Sequence, residues 1–98
     1  MKKNHITLNI SEHTMDAEKW NILDHIYKTS DGWVGYSKDS IPYWFSMNEK
    51  KKYICASAEM HGLVFDVFMK EEKWNNWIEE FINYSSKMLG FKVVDMEE

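Results

Sequence analysis

The side chains able to do chemistry in this sequence are one thiol, Cys55, four imidazoles, His5, His13, His25 and His61, and sixteen carboxylates. A nucleophilic cysteine needs a base within hydrogen-bond reach and a local field that lowers its pKa. Cys55 has Tyr53, Ile54, Ala56 and Ser57 beside it, with His61 a strand length away, so it reads as a small apolar residue in a sheet. The histidines lack the spacings that set two ligands on one helical face or in a zinc knuckle. Glu71-Glu72, Glu79-Glu80 and Glu97-Glu98 are adjacent carboxylates. Neighbours on a helix point about 100° apart, which makes these pairs a solvated face rather than an acid/base couple. With no glycine-rich phosphate loop and no Ser/His/Asp arrangement, the expectation is a protein without catalytic residues, cofactor or metal.

Composition narrows the partners. The chain has 98 residues, enough for one domain spanning 1–98 with a single core, and its five Trp and 44% hydrophobic content exclude general disorder. Sixteen acidic residues against twelve basic ones give a net charge of −4, and all twelve bases are Lys. Recognition of phosphates and base edges leans on the planar guanidinium, so an acidic chain without Arg is not expected to bind nucleic acid. A single cysteine allows no internal disulfide and fits a reducing compartment. The lysines at the N-terminus precede a short apolar stretch broken by Thr7 and Asn9, unlike a signal peptide, and no run approaches a membrane span. A cytoplasmic protein that makes no membrane contact is expected.

The elements that must position any functional surface follow from periodicity. In residues 5–10, Ile6, Leu8 and Ile10 alternate with His5, Thr7 and Asn9, which predicts a strand. The period then changes: Met15, Trp20, Ile22, Leu23, Ile26 and Tyr27 share one helical face, with Thr14 or Ser11 as cap, Asp16 in the first turn and Ser30-Asp31-Gly32 as stop. "GWVGYSKDSIPYWF" reads as a hairpin around Ser37–Ser40, with Trp33 and Trp44 as cross-strand partners. A second helix carries Trp74, Trp77, Ile78, Phe81, Ile82, Ser85, Met88 and Leu89 on one stripe and ends at Gly90, and "FKVVDM" predicts a final strand before a frayed Glu97-Glu98 end. The fold class is α+β: a single-layer antiparallel sheet of about six strands, in the order β-α-β-β-β-β-α-β, with two helices on one face.

The stretch "ICASAEMHGLVFDVF" holds the most informative pattern. A turn at His61-Gly62, with glycine supplying a positive φ, sets Met60 opposite Leu63, Ala58 opposite Phe65, Ala56 opposite Val67 and Ile54 opposite Met69 on the core face. The same register sets Glu59 opposite Val64, Ser57 opposite Asp66 and Cys55 opposite Phe68 on the other face, with Tyr53 beyond. Apolar anchors beside carboxylates on an open sheet face predict a docking surface for a basic partner, built from Trp44, Tyr53, Ser57, Glu59, Asp66 and Phe68. An aromatic sheet face also suits a small ligand or a single-stranded nucleic acid, which is the alternative reading.

"GYSKDSIPYWFS", the hairpin that follows, "EKWNNWIEEF" and "SSKMLGFKV" together resemble small acidic bacterial immunity proteins of the contact-dependent inhibition and polymorphic-toxin kind, over residues 32–95. The resemblance implies a cytoplasmic inhibitor that binds and neutralises the toxin domain of its own system without catalysis. It implies no particular site residues. Toxin nucleases present basic clefts, toward which an acidic inhibitor is steered.

Overall fold

The computed structural model describes residues 1–96. Its elements are β1 (Lys2–Leu8), α1 (Ala17–Thr29), β2 (Trp33–Tyr36), β3 (Pro42–Trp44), β4 (Tyr53–Glu59), β5 (Gly62–Met69) and α2 (Glu71–Leu89). The fold is α+β, with one antiparallel sheet of five strands in the order β1-β5-β4-β3-β2. Chain order and sheet order differ in one place: β1 crosses to pair with β5, from Lys2 opposite Met69 to Leu8 opposite Leu63. Among the described residues no helix is long and apolar enough to cross a membrane.

The expected sixth strand does not form. After α2 the chain runs back along β1, but only Leu8 and Asp95 make a bridge. Main-chain bonds run from Asn9 N–H to Val94 O and from Met96 N–H to Thr7 O. Between them the Asn9 side chain replaces the ladder, accepting from Val94 N–H at 2.7 Å and donating to Lys92 O at 3.0 Å. A side-chain amide that satisfies the backbone in this way ends a strand. It also explains why β1 stops at Leu8 rather than Ile10. The predicted acidic end at Glu97-Glu98 lies outside the described residues.

α1 begins later than a cap at Ser11 or Thr14 would place it. Asp16 is the N-cap, its Oδ1 accepting from Lys19 N–H at 2.8 Å, and that bond holds its carboxyl below the usual carboxylate range. Ser11 and Thr14 close a separate turn, with Thr14 N–H donating to Ser11 O. α2 buries Trp74, Trp77, Ile78, Phe81, Ser85 and Leu89 as its sequence predicts, but Met88, expected on the same stripe, is exposed. Glu71 and Glu72 occupy the first turn, Lys87 the last, and Gly90 caps it in the left-handed conformation at φ 80°.

Both helices cover the same face of the sheet, and the core lies between. Trp44 is its centre, fully buried, with ring centroids 5.1 Å from Trp77, 5.4 Å from Tyr27 and 5.7 Å from Trp33. Its indole N–H donates to Tyr27 O at 3.0 Å, at the last turn of α1. Phe65, Leu63 and Val67 from β5 and Ile54 and Ala56 from β4 complete the floor on which Phe81 and Trp77 of α2 rest. Pro42 occupies the first position of β3, before pairing with β4 begins, so no ladder bond is lost to its missing N–H.

The β4–β5 hairpin keeps the predicted faces and changes the predicted partners. Glu59 pairs with Gly62, Ala58 with Leu63, Ser57 with Val64, Ala56 with Phe65, Cys55 with Asp66, Ile54 with Val67 and Tyr53 with Phe68. The turn is therefore Met60-His61, one residue earlier than a turn at His61-Gly62, which moves every cross-strand partner by two residues. Neither turn residue nor Gly62 has a positive φ. Met60 stands at the tip, 78% exposed, and not in the core. Gly62 serves close approach instead: a Cβ there would meet Leu8 O at 2.5 Å and the Thr7 methyl at 2.7 Å. Where β1 and the C-terminal segment converge on β5, only a residue without a side chain fits.

Candidate partner-binding face

The face of the sheet turned away from both helices collects the polar and half-buried residues of four strands, β1, β5, β4 and β3. Antiparallel partners share a face, so the rows read directly from the register. One row is Lys3, Phe68 and Tyr53; the next is His5, Asp66, Cys55 and Tyr43; the third is Thr7, Val64 and Ser57, with Gly62 and Glu59 beyond.

The second row holds the residue types of a cysteine triad in an order that cannot act as one. In a working triad the imidazole stands between thiol and carboxylate, taking the proton from one and being oriented by the other. Here Asp66 stands in the middle. His5 Nδ1 lies 3.1 Å from Asp66 Oδ1, and Cys55 is opposite Asp66 on the far side. Burial pushes the Cys55 thiol up to about 11, and the carboxylates of Asp66 and Glu49 add to the shift. A thiol so placed stays protonated near neutral pH and is a poor nucleophile. Among the described residues no group of three or more His, Cys, Asp or Glu is placed to hold a metal ion.

The turn between β3 and β4 closes one end of this face. Glu49 accepts a 2.8 Å hydrogen bond from the Tyr43 hydroxyl, which raises the phenol pKa, with burial as the second cause. Tyr53 lies beside Tyr43, ring centroids 6.3 Å apart, and is buried. Its own phenol is raised chiefly by burial and secondarily by Glu49. Between this turn and β1 an open depression of about 470 Å³ is bordered by Lys3, His5, Glu49, Tyr53, Cys55 and Asp66. At the other end Ser57 donates to Glu59 Oε1 at 3.0 Å, which steadies that carboxylate at the rim.

Of the six residues predicted for docking, the fold brings Ser57, Glu59, Asp66 and Phe68 together on this face. Asp66 and Glu59 are exposed; Ser57 and Phe68 are half-buried. Tyr53 is on the face but 3% exposed, so it offers its surroundings little surface. Trp44 belongs to the opposite face and is a core residue, because its row partner is Ile54 and its indole N–H is used by α1. The sequence reading missed Lys3, His5 and Glu49. His5 and Thr7 carried a signal, since they alternate with Ile6 and Leu8; pairing of β1 with β5 then puts them beside Asp66 and Val64. Glu49 carried none. Its position depends on how the turn folds back toward Tyr43.

Comparison with known protein families, with characterised proteins and with solved structures finds no match to this chain.

Proposed function

We propose that this chain is a non-catalytic inhibitor of the immunity type, which binds a basic toxin domain and blocks it through the helix-free face of the sheet. The observation that carries the reading is the composition of that face. Phe68 and Val64 supply half-buried apolar ground, while Asp66 on β5, Glu59 on β4 and Glu49 in the adjoining β3–β4 turn surround it with carboxylates. Apolar ground ringed by charges of one predominant sign is the usual anatomy of a protein-docking surface, in which the charges set on-rate and choice of partner. The raised Cys55 thiol and the reversed order of the His5–Asp66–Cys55 row support binding over catalysis. The resemblance to immunity proteins supplies the class of partner, and the net charge of −4 suits a basic one.

The test is binding to, and neutralisation of, a basic toxin domain. Asp66→Lys together with Glu59→Lys reverses two exposed charges without touching the core, so the fold should persist. Affinity for the toxin domain should fall at least about tenfold, mainly through the association rate, and the loss should shrink as salt is raised. A folded double variant that neutralises as well as the parent removes this face from the function.

A further inference from the structure

A second site lies on the helical side of the molecule, away from the sheet face proposed for docking. Where α1 ends against the middle of α2, a notch of about 220 Å³ opens between Ser30, Asp31, Trp77, Glu80, Phe81 and Tyr84. Its volume is below the roughly 300–1,000 Å³ of pockets that hold whole small-molecule ligands, and suits a single inserted side chain.

Its chemistry is that of a receptor for a long cation. The walls are aromatic. Trp77 stacks on Trp74 and Phe81, and Phe81 on Tyr27, in a column of near-parallel rings with interplanar angles of 19°, 15° and 20°. Trp77 and Phe81 are almost wholly buried and reach the notch only by their edges, so with the half-buried Tyr84 they offer a narrow apolar wall for methylene groups rather than a cation–π platform. The rim is negative. Asp31 and Glu80 are both exposed, and neither carboxylate has an ion pair or hydrogen bond among the described residues. The C-terminal end of α1 adds the partial negative charge of its last carbonyls. Lys52 and Lys73 border the neighbouring depression, where Asp31 and Glu80 also reach, but Lys52 sits over the Phe45 ring at 5.1 Å and among the described residues no cation lines the notch itself.

We propose that this notch receives an arginine side chain of a protein partner, its methylene stem against the Trp77–Phe81 edges and its guanidinium between Asp31 and Glu80. Two carboxylates on one rim match the planar fork of guanidinium better than the point charge of an ammonium. The site does not depend on the sheet face being the docking surface; each stands or falls by its own test.

Trp77 supplies the readout, because its indole N–H donates to Asp31 O at 2.9 Å and so reports directly on the rim. In ¹H–¹⁵N spectra of the full chain, Nα-acetyl-arginine amide should shift the Trp77 indole signal saturably, while the neutral citrulline analogue should not. The Trp44 indole, buried and bonded to Tyr27 O, should stay fixed and so certifies the fold in the same spectrum. Asp31→Asn with Glu80→Gln should weaken arginine binding at least about fivefold, as expected for loss of two charge-assisted contacts. If that double variant disturbs Trp44, Glu80→Gln alone, on the exposed side of α2, carries the same test. Equal shifts from the neutral analogue, no response at Trp77, or undiminished binding in the carboxamide variant overturns the proposal.

Discussion

Trp44 separates a core role from an interface role, and Trp44→Phe measures which it has. The side chain is fully buried and touches rings from α1, β2, β5 and α2. Phenylalanine keeps part of that contact but loses the second ring and the N–H. The lost hydrogen bond costs only about 1 kcal/mol, because Tyr27 O keeps the bond from Ser30 N–H at 3.3 Å and is not orphaned. The missing ring leaves unfilled volume that α2 and β5 cannot fully close, which adds about 1–2 kcal/mol. The sum, about 2–3 kcal/mol, should lower Tm by roughly 10–20 °C in a domain of this size. Urea denaturation followed by far-UV circular dichroism should show the midpoint falling with an unchanged slope, since the surface exposed on unfolding is nearly the same. Below the transition, the folded variant should bind its partner as tightly as the parent. A change under about 0.5 kcal/mol, in the range of ordinary surface substitutions, would refute the placement of Trp44 at the centre of the core.

Other expectations follow from particular contacts. Gly62→Ala should cost about 1–3 kcal/mol despite its unremarkable φ, because the new methyl meets the Leu8 carbonyl; a neutral result in thermal denaturation would contradict the close approach of β1. Cys55 should react with iodoacetamide at pH 8 far more slowly than free cysteine, its rate climbing only as pH nears about 11. A fast reaction at pH 8 would reopen the nucleophile reading. Asp16 and Asp24 both have carboxyls held below the ordinary value, Asp16 chiefly by Lys19 N–H and Asp24 chiefly by the Tyr36 hydroxyl and then Lys28. Their contribution is therefore complete above the unfolded carboxylate value near 4 and is lost as pH falls through the lower folded values. Asp16→Asn with Asp24→Asn should accordingly show a shallower loss of stability on acidification than the parent, measured by urea midpoints at a series of pH values.

Much of the architecture was legible because it rests on local periodicity. The α2 stripe from Trp74 to Leu89, its acidic first turn and its Gly90 cap are all short-range features that appear where the pattern puts them, except that Met88 at the end of the stripe is exposed, beyond the reach of the sheet. The hairpin at Ser37–Ser40 and the Trp33–Trp44 pair are likewise set by neighbours in sequence. Local pattern does not single out the Asp16 cap, because Ser11, Thr14 and Asp16 are all competent caps and a turn closed by Ser11 and Thr14 decides between them.

The β4–β5 hairpin marks the boundary between sequence and tertiary structure most sharply. Side-chain alternation has a period of two, so a one-residue shift of the turn, which moves each partner by two, leaves every residue on its proper face. That is why Ser57, Glu59, Asp66 and Phe68 could be grouped from sequence although none of their cross-strand partners could be. The partners were settled by the approach of β1 and the C-terminal segment, which forces Gly62 into the strand rather than the turn. The same long-range pairing brings His5 and Lys3 to Asp66 and Phe68, and the turn from β3 to β4 brings Glu49 to Tyr43. Alternation along a single strand thus determined which residues look outward. Contacts between segments far apart in the chain, such as His5 with Asp66 and Leu8 with Asp95, whose closure no local pattern encodes, decided what they look at.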